Sequence, residues 1–307
     1  MSVARGDFAR NLAGISEAIN LESLAQGAMG TTLPPGVFVL RRGILVAGLI
    51  ALESFVRERV SEVLRVLERW PRSYENLPEK LRLAARLNAL SHLQQFAKML
   101  KRQDEEYELE LRSEITKMAS GHGTVQQFSK FVAGDFTGNL SDSGMKDLLA
   151  SLQVSDCWNT FRLFASDVGL GVPSVHEVVK GIVRKRHRSA HSANYSPTPE
   201  DIAGLKSDLL CVAMCFDVSV SASMEQALAN PDAWAAGTCQ WRNAVSLYVA
   251  EQSTRGVRLI KFGRPRAICI VNDMAEIKPR VPRAGPGEIA VLIEHDSAGR
   301  PLNWDIM

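Results

Sequence analysis

Residues 37–70 read VFVLRRGILVAGLIALESFVRERVSEVLRVLERW, and this stretch decides the fold class. Its apolar positions include Val39, Leu40, Ile44, Leu45, Leu49, Leu52, Phe55, Val56, Val60, Val63, Leu64 and Leu67. The steps between them are mostly three and four, the period of an α-helix. Pro71 ends the run, since proline donates no backbone hydrogen bond and crowds the preceding turn. One carboxylate, Glu53, interrupts the apolar middle. The expectation is a mainly α chain organised around this long helix.

Before this stretch, residues 7–29 read as an earlier helix, with a break at GTTLPPG, residues 30–36. On the other side Pro78 fits the first turn of a helix continuing to about Lys101, which becomes strongly charged in KRQDEE at 101–106. Residues 119–145 carry Gly121, Gly123, Gly134, Gly138 and Gly144 and read as a long connection with short ordered pieces. Asp142 or Ser143 is placed to cap a helix over 146–152, and another short helix is expected around 157–168. Ser174 precedes a helix from Val175 to about Arg188. In SPTPED at 196–201, Thr198 stands three residues before Asp201, a capping pattern that opens a helix over 201–217. After Pro231 the character changes. Residues 255–262, 266–271 and 288–295 are short β-branched runs separated by Gly and Pro, the marks of strands. Three units are expected: an N-terminal helix and linker (1–36), a helical domain (37–230) and a small β-containing module (231–307).

The chain has 307 residues, 46% apolar and 23% charged, enough to bury a sizeable core. Global disorder and a disulfide scaffold are excluded. The five cysteines form no C-x-x-C pair and no regular spacing, as expected of free thiols in a reducing cytoplasm. The start of the chain lacks the pattern of a signal peptide. The most apolar run, 43–52, is ten residues long and ends at Glu53, short for a bilayer. A cytoplasmic location without membrane contact is therefore expected. Net charge is only +2, so its distribution says more than its sum.

That distribution peaks at residues 180–191, KGIVRKRHRSAH: five Lys or Arg and two His in twelve residues, with no acidic side chain. Such a cluster attracts phosphate, although a solvated helix end would carry similar charge. Within it, RHRSAH at 186–191 places His191 five positions after Arg186, with His187 directly following the arginine. An imidazole can move a proton near neutral pH, and a guanidinium can fork onto two phosphate oxygens. On an ideal helix, however, positions 186 and 191 lie about 140° apart, whereas Arg184 and His191 fall nearly on one face. Both arginines stay candidates.

This spacing resembles the active-site motif of the HEPN superfamily: Arg, four to six residues, then His, with Asn, Asp or His commonly after the Arg. The context matches too, since the motif closes one helix and is followed by a proline-containing turn and an amphipathic helix. LRRGILVAGLIALESFVR at 40–57 is similar to the first core helix of the RiboL-PSP-type HEPN group. The resemblance covers roughly 37–220 and implies a HEPN-like helical bundle. It implies a metal-independent endoribonuclease, a toxin or antiviral effector, that cuts RNA through the ribose 2′-hydroxyl and acts as a homodimer without a cofactor. The catalytic set it implies is Arg186, His191 and His187, with Glu53 and Arg184 auxiliary and Lys185 and Arg188 on the RNA. tRNA and mRNA are both candidate substrates, and an antitoxin or defence-system protein is a candidate partner. The alternative is a HEPN-fold protein that grips nucleotides or a partner enzyme without cleavage. A third class is a helical structural protein whose basic helix is incidental.

Other residues carry weaker signals. His187 and His191 share a helical metal-ligand spacing, but Arg188 stands where the zincin pattern needs Glu, so no metal is expected. Glu53 is either a core carboxylate with a local partner or a residue facing the motif. Asp217 and Glu225 read as solvent-facing. His122, between two glycines, reads as a flexible loop, His295 as part of a turn, and His92 and His176 as ordinary helix residues. Cys211 and Cys215, one turn apart on an apolar helix, read as core; Trp234, Trp241 and Trp304 suit core packing, with base stacking as the alternative. The tail cations Arg255, Arg258, Lys261, Arg264, Arg266, Lys278, Arg280 and Arg283 suit either an RNA-guiding surface or the polar face of a sheet.

Overall fold

The computed structural model describes residues 2–28, 35–122, 126–134 and 140–307. The expected break at 30–36 and the glycines Gly123 and Gly138 fall mostly or wholly outside these ranges. The helices are α1 (Val3–Ala28), α2 (Pro35–Leu64), α3 (Glu79–Leu83), α4 (Ala89–Arg102), α5 (Glu108–Ala119), α6 (Asp142–Ser151), α7 (Cys157–Asp167), α8 (Val175–His191), α9 (Pro199–Ala203), α10 (Leu205–Ala229) and α11 (Pro231–Ala235). A short 3-10 turn, Arg65–Arg69, extends α2 toward Pro71, and a π-helical stretch, Ala84–Asn88, joins α3 to α4. Five strands follow: β1 (Val245–Ser253), β2 (Gly256–Lys261), β3 (Ala267–Val271), β4 (Ile289–His295) and β5 (Pro301–Ile306). The chain is mainly α with a small C-terminal β module.

Local signals place several helix starts. Ser174 Oγ accepts the Glu177 N–H, and Thr198 and Asp201 form a reciprocal capping box. Ser141, one residue before the expected caps, receives the Gly144 N–H and starts α6. Glu108–Ala119, left without an assignment by the sequence pattern, form α5.

α10 is the centre of the molecule. Every residue from Leu209 to Met224 is buried, so the helix is enclosed on all sides. α2 packs along it, with α1, α7, α8 and the sheet around the pair. By length and composition, the helical segments Pro35–Arg69 and Pro199–Ala229 could each cross a membrane; in this fold the second is almost wholly enclosed and the first partly so.

The sheet runs β3-β2-β1-β4-β5, with β1 and β4 parallel and the other pairs antiparallel. β2, β3 and β4 match the runs expected at 255–262, 266–271 and 288–295, but β1 and β5 were not anticipated. β5 opens on Pro301, tolerated at the first position of an edge strand. Gly256 closes the β1–β2 turn at φ 113°, where a Cβ would stand 2.3 Å from the Val271 carbonyl oxygen. One sheet face, with Val291, Ile293 and Trp304, joins the helical core. The other carries Tyr248, Leu259 and Leu292 and is closed by Ile277 and Val281. One apolar cluster thus runs from Ala4 to Trp304, continuous across residues 36 and 230.

Asp217 corrects the reading of it as solvent-facing. It is completely buried in the middle of α10. Its Oδ2 accepts from Arg5 Nε at 2.7 Å and Trp304 Nε1 at 2.8 Å, and its Oδ1 accepts from Arg59 Nε at 2.5 Å. Arg59 also donates to Ser221 and Glu62, and Glu62 accepts the Ala4 N–H at 2.9 Å. The Trp304 ring packs on Phe8 and Phe55. Glu225, by contrast, is exposed.

Burial alone would push the Asp217 carboxyl up, but the Arg59 and Arg5 guanidiniums outweigh it and hold it below the ordinary carboxylate range. A lowered native pKa gives stability that is complete above the unfolded value of about 4 and lost as pH falls through the native value. Asp217→Asn should cost on the order of 3 kcal/mol at neutral pH, because two guanidiniums lose their counter-charge. In urea unfolding, the gap between wild type and variant should narrow only below about pH 4.

Candidate phosphate-binding cleft on α8

α8 presents two unlike rows. Val175, Val179, Ile182 and Ser189 are buried, spaced at three, four and seven, and form the inner row. Arg186 falls on this row between Ile182 and Ser189, half-buried. Its Nε is sequestered without a hydrogen-bond partner, as is Ser189 Oγ. The opposite row runs His176, Lys180, Arg184, His187 and His191; His176 is half-buried and the other four are exposed.

The helix is regular through His191. Arg184 and His191 therefore lie within about 20° of one another around the axis, while Arg186 and His191 remain about 140° apart. Of the two registers left open by sequence, only the Arg184 one shares a face with His191. Arg186 shares a cleft with the other histidine, His187, instead. A cleft of about 290 Å³ between α2, the start of α6 and α8 is lined by Leu49, Asp142, Lys180, Val183, Arg184, Arg186 and His187. His191 does not line it, but its ring lies 4.8 Å from that of His187.

The charges differ in how they are compensated. Lys180 pairs loosely with exposed Glu177 at 3.4 Å. Lys185 points away and contacts Asp201 at 3.3 Å, bracing the α9 capping box. Arg188 stacks its guanidinium 4.1 Å above the Tyr195 ring. Among the described residues, Arg184 and Arg186 have no carboxylate at ion-pair distance. A guanidinium with one donor sequestered and no counter-charge favours an anion in the cleft it lines.

Glu53 does not face this cleft. It accepts the Leu140 N–H at 2.6 Å and lines a separate cavity of about 690 Å³ with Arg57, Lys80, His92 and Asp147. It is a buried carboxylate whose backbone partner lies 87 positions along the chain. The side chain of His122 lies outside the described residues. His295 packs in the sheet with Nε2 buried and unpartnered, its pKa lowered by burial. Trp234, Trp241 and Trp304 are all core, as are Cys211 and Cys215. The tail cation Arg258 pairs with Glu251, and Lys278 with Asp305. Among the described residues, no three His, Cys, Asp or Glu side chains are grouped as metal ligands.

One cluster was not anticipated. The His176 ring stacks on Trp158, centroids 4.8 Å apart and planes 20° apart. Its Nε2 lies 2.9 Å from Asp142 Oδ2, and this hydrogen bond holds the Asp142 carboxyl below its usual range. The cluster's members come from three helices, with Asp142 34 positions before His176, so no local spacing announces it.

The turn that follows α8 is fixed from beneath. Arg41, almost fully buried on α2, pairs with Glu22 of α1 at 2.6 Å and donates to the Pro197 carbonyl at 3.0 Å. Arg41→Met alone should cost about 3–5 kcal/mol in urea unfolding, because Glu22 is left buried and charged. The double variant Glu22→Leu/Arg41→Met should regain most of that loss.

No family model, curated protein or solved structure matches this chain.

Proposed function

We propose that this chain is a metal-independent endoribonuclease that cuts RNA by 2′-hydroxyl transesterification and serves as a toxin or antiviral effector. The observation that carries the reading is the α8 cleft: two guanidiniums without a carboxylate partner among the described residues, beside His187, which touches His191. Arg184 and Arg186 hold the phosphate oxygens and balance the charge that builds on them. The 2′-oxygen bonds to the adjacent phosphorus, and the bond from phosphorus to the 5′-oxygen breaks. One imidazole takes the 2′-hydroxyl proton and the other gives a proton to the leaving 5′-oxygen. The products are a 2′,3′-cyclic phosphate and a 5′-hydroxyl. The resemblance to HEPN proteins implies that two copies build the site, so a homodimer whose second copy supplies His191 to the cleft belongs to the proposal.

One observation favours a second reading. Within a single copy the regular helix keeps Arg186 and His191 on different rows, an arrangement that suits a protein gripping nucleotides without cutting them.

Cleavage of RNA should persist in excess chelator and leave cyclic phosphate ends, whereas DNA and 2′-O-methyl RNA should resist. His191→Ala and His187→Ala should each lower the rate by about 10²–10⁴-fold while thermal melting stays unchanged. Arg186→Ala should act comparably, and Arg184→Ala shows whether the outer-row arginine shares the phosphate. Equal cleavage by wild type and His191→Ala, at matched soluble yield, would remove the enzymatic reading and leave the nucleotide-binding one.

A further inference from the structure

We infer that the outer row of α8 is a track for single-stranded RNA, ending in a base-stacking subsite formed by Trp158, His176 and Asp142. The inference deepens the ribonuclease reading and rests on it for the RNA.

The row His176, Lys180, Arg184, His187, His191 advances by four, four, three and four residues. It therefore stays within about 80° of the helix circumference while covering about 22 Å of its length. Such a length accommodates several nucleotides rather than one phosphate. The two ends differ in chemistry. At the His191 end are imidazoles in ring contact and, one turn back, guanidiniums. At the other end, parallel rings replace the cations: half-buried His176 lies over half-buried Trp158.

A π-stack half open to solvent, in line with cations, suits a splayed base whose backbone passes over Lys180 and Arg184. Asp142 fixes the orientation of the imidazole through the 2.9 Å contact with Nε2. A duplex keeps its bases stacked inside and offers no free face to Trp158 and His176. The subsite therefore selects unpaired RNA.

Binding is tested with non-cleavable 2′-O-methyl RNA, single-stranded and about ten nucleotides long, against a duplex of the same length. The readouts are affinity and its salt dependence. Wild type should bind the single strand at least tenfold tighter than the duplex and show quenched tryptophan fluorescence. Trp158→Leu and His176→Ala should each weaken single-strand binding about five- to tenfold, from lost stacking, with the salt slope unchanged. Trp158→Phe should keep most of the affinity. Lys180→Ala should instead reduce the salt slope by about 0.7, one phosphate contact. His176 is a surface-row residue, so His176→Ala decides the matter if Trp158→Leu melts early. If wild type binds and cleaves RNA but His176→Ala and Trp158→Phe bind as wild type and Trp158→Leu does too, the track is overturned and the ribonuclease reading stands. Equal affinity for duplex and single strand overturns it likewise. If wild type binds no RNA, the ribonuclease reading falls and takes the track with it.

Discussion

The carboxylate of Asp217 ties the molecule together. It sits in a helix enclosed on every side and is held by side chains from three other elements: Arg5 of α1, Arg59 of α2 and Trp304 of β5. A charge in that position is tolerable only because each oxygen receives charge-assisted hydrogen bonds. Four elements distant in sequence must therefore arrive together. Their meeting sets how α1 and α2 lie on α10, and it draws the last strand of the tail into the helical core. The tail is not an appendage in the energetic sense, because Trp304 supplies both a ring to the Phe8–Phe55 cluster and a donor to the buried carboxylate.

A second buried pair, Arg41 with Glu22, does for the surface what Asp217 does for the interior. By donating to the Pro197 carbonyl it fixes the turn that leaves α8. The two rows of that helix are then committed: an apolar row against the core and a cationic, imidazole-bearing row outward. Arg186 is the exception, a cation on the inner row. Local packing leaves its Nε without a partner, and the cleft it lines is where a counter-charge would be favourable.

Much of the helical architecture was legible because its causes are local. Ser174, Thr198 and Asp201 cap helices through bonds that span three residues, and the apolar steps of α2 report its buried face directly. The strands β2, β3 and β4 were legible from β-branched runs. β1 and β5 were not: β1 gains its place from a parallel partner some forty positions away, and β5 begins on a proline. Asp217 was misread for the same reason. Its partners lie 212, 158 and 87 positions away, beyond any periodic signal. The unbroken absence of other charges from Leu209 to Met224 was the one local hint that the helix has no outer face.

Residue order and local chemistry suffice for a mainly α chain with a small β module, and for the concentration of Arg and His at the end of one helix. Tertiary structure decided which of those cations meet. A regular α8 puts Arg184 in line with His191 and turns Arg186 inward. α2 and α6 close a cleft over Arg184, Arg186 and His187, and Trp158 comes to lie beneath His176. Helical period fixes only the angle between residues on one helix; the neighbours packed against each face are set by long-range burial, which no local spacing encodes.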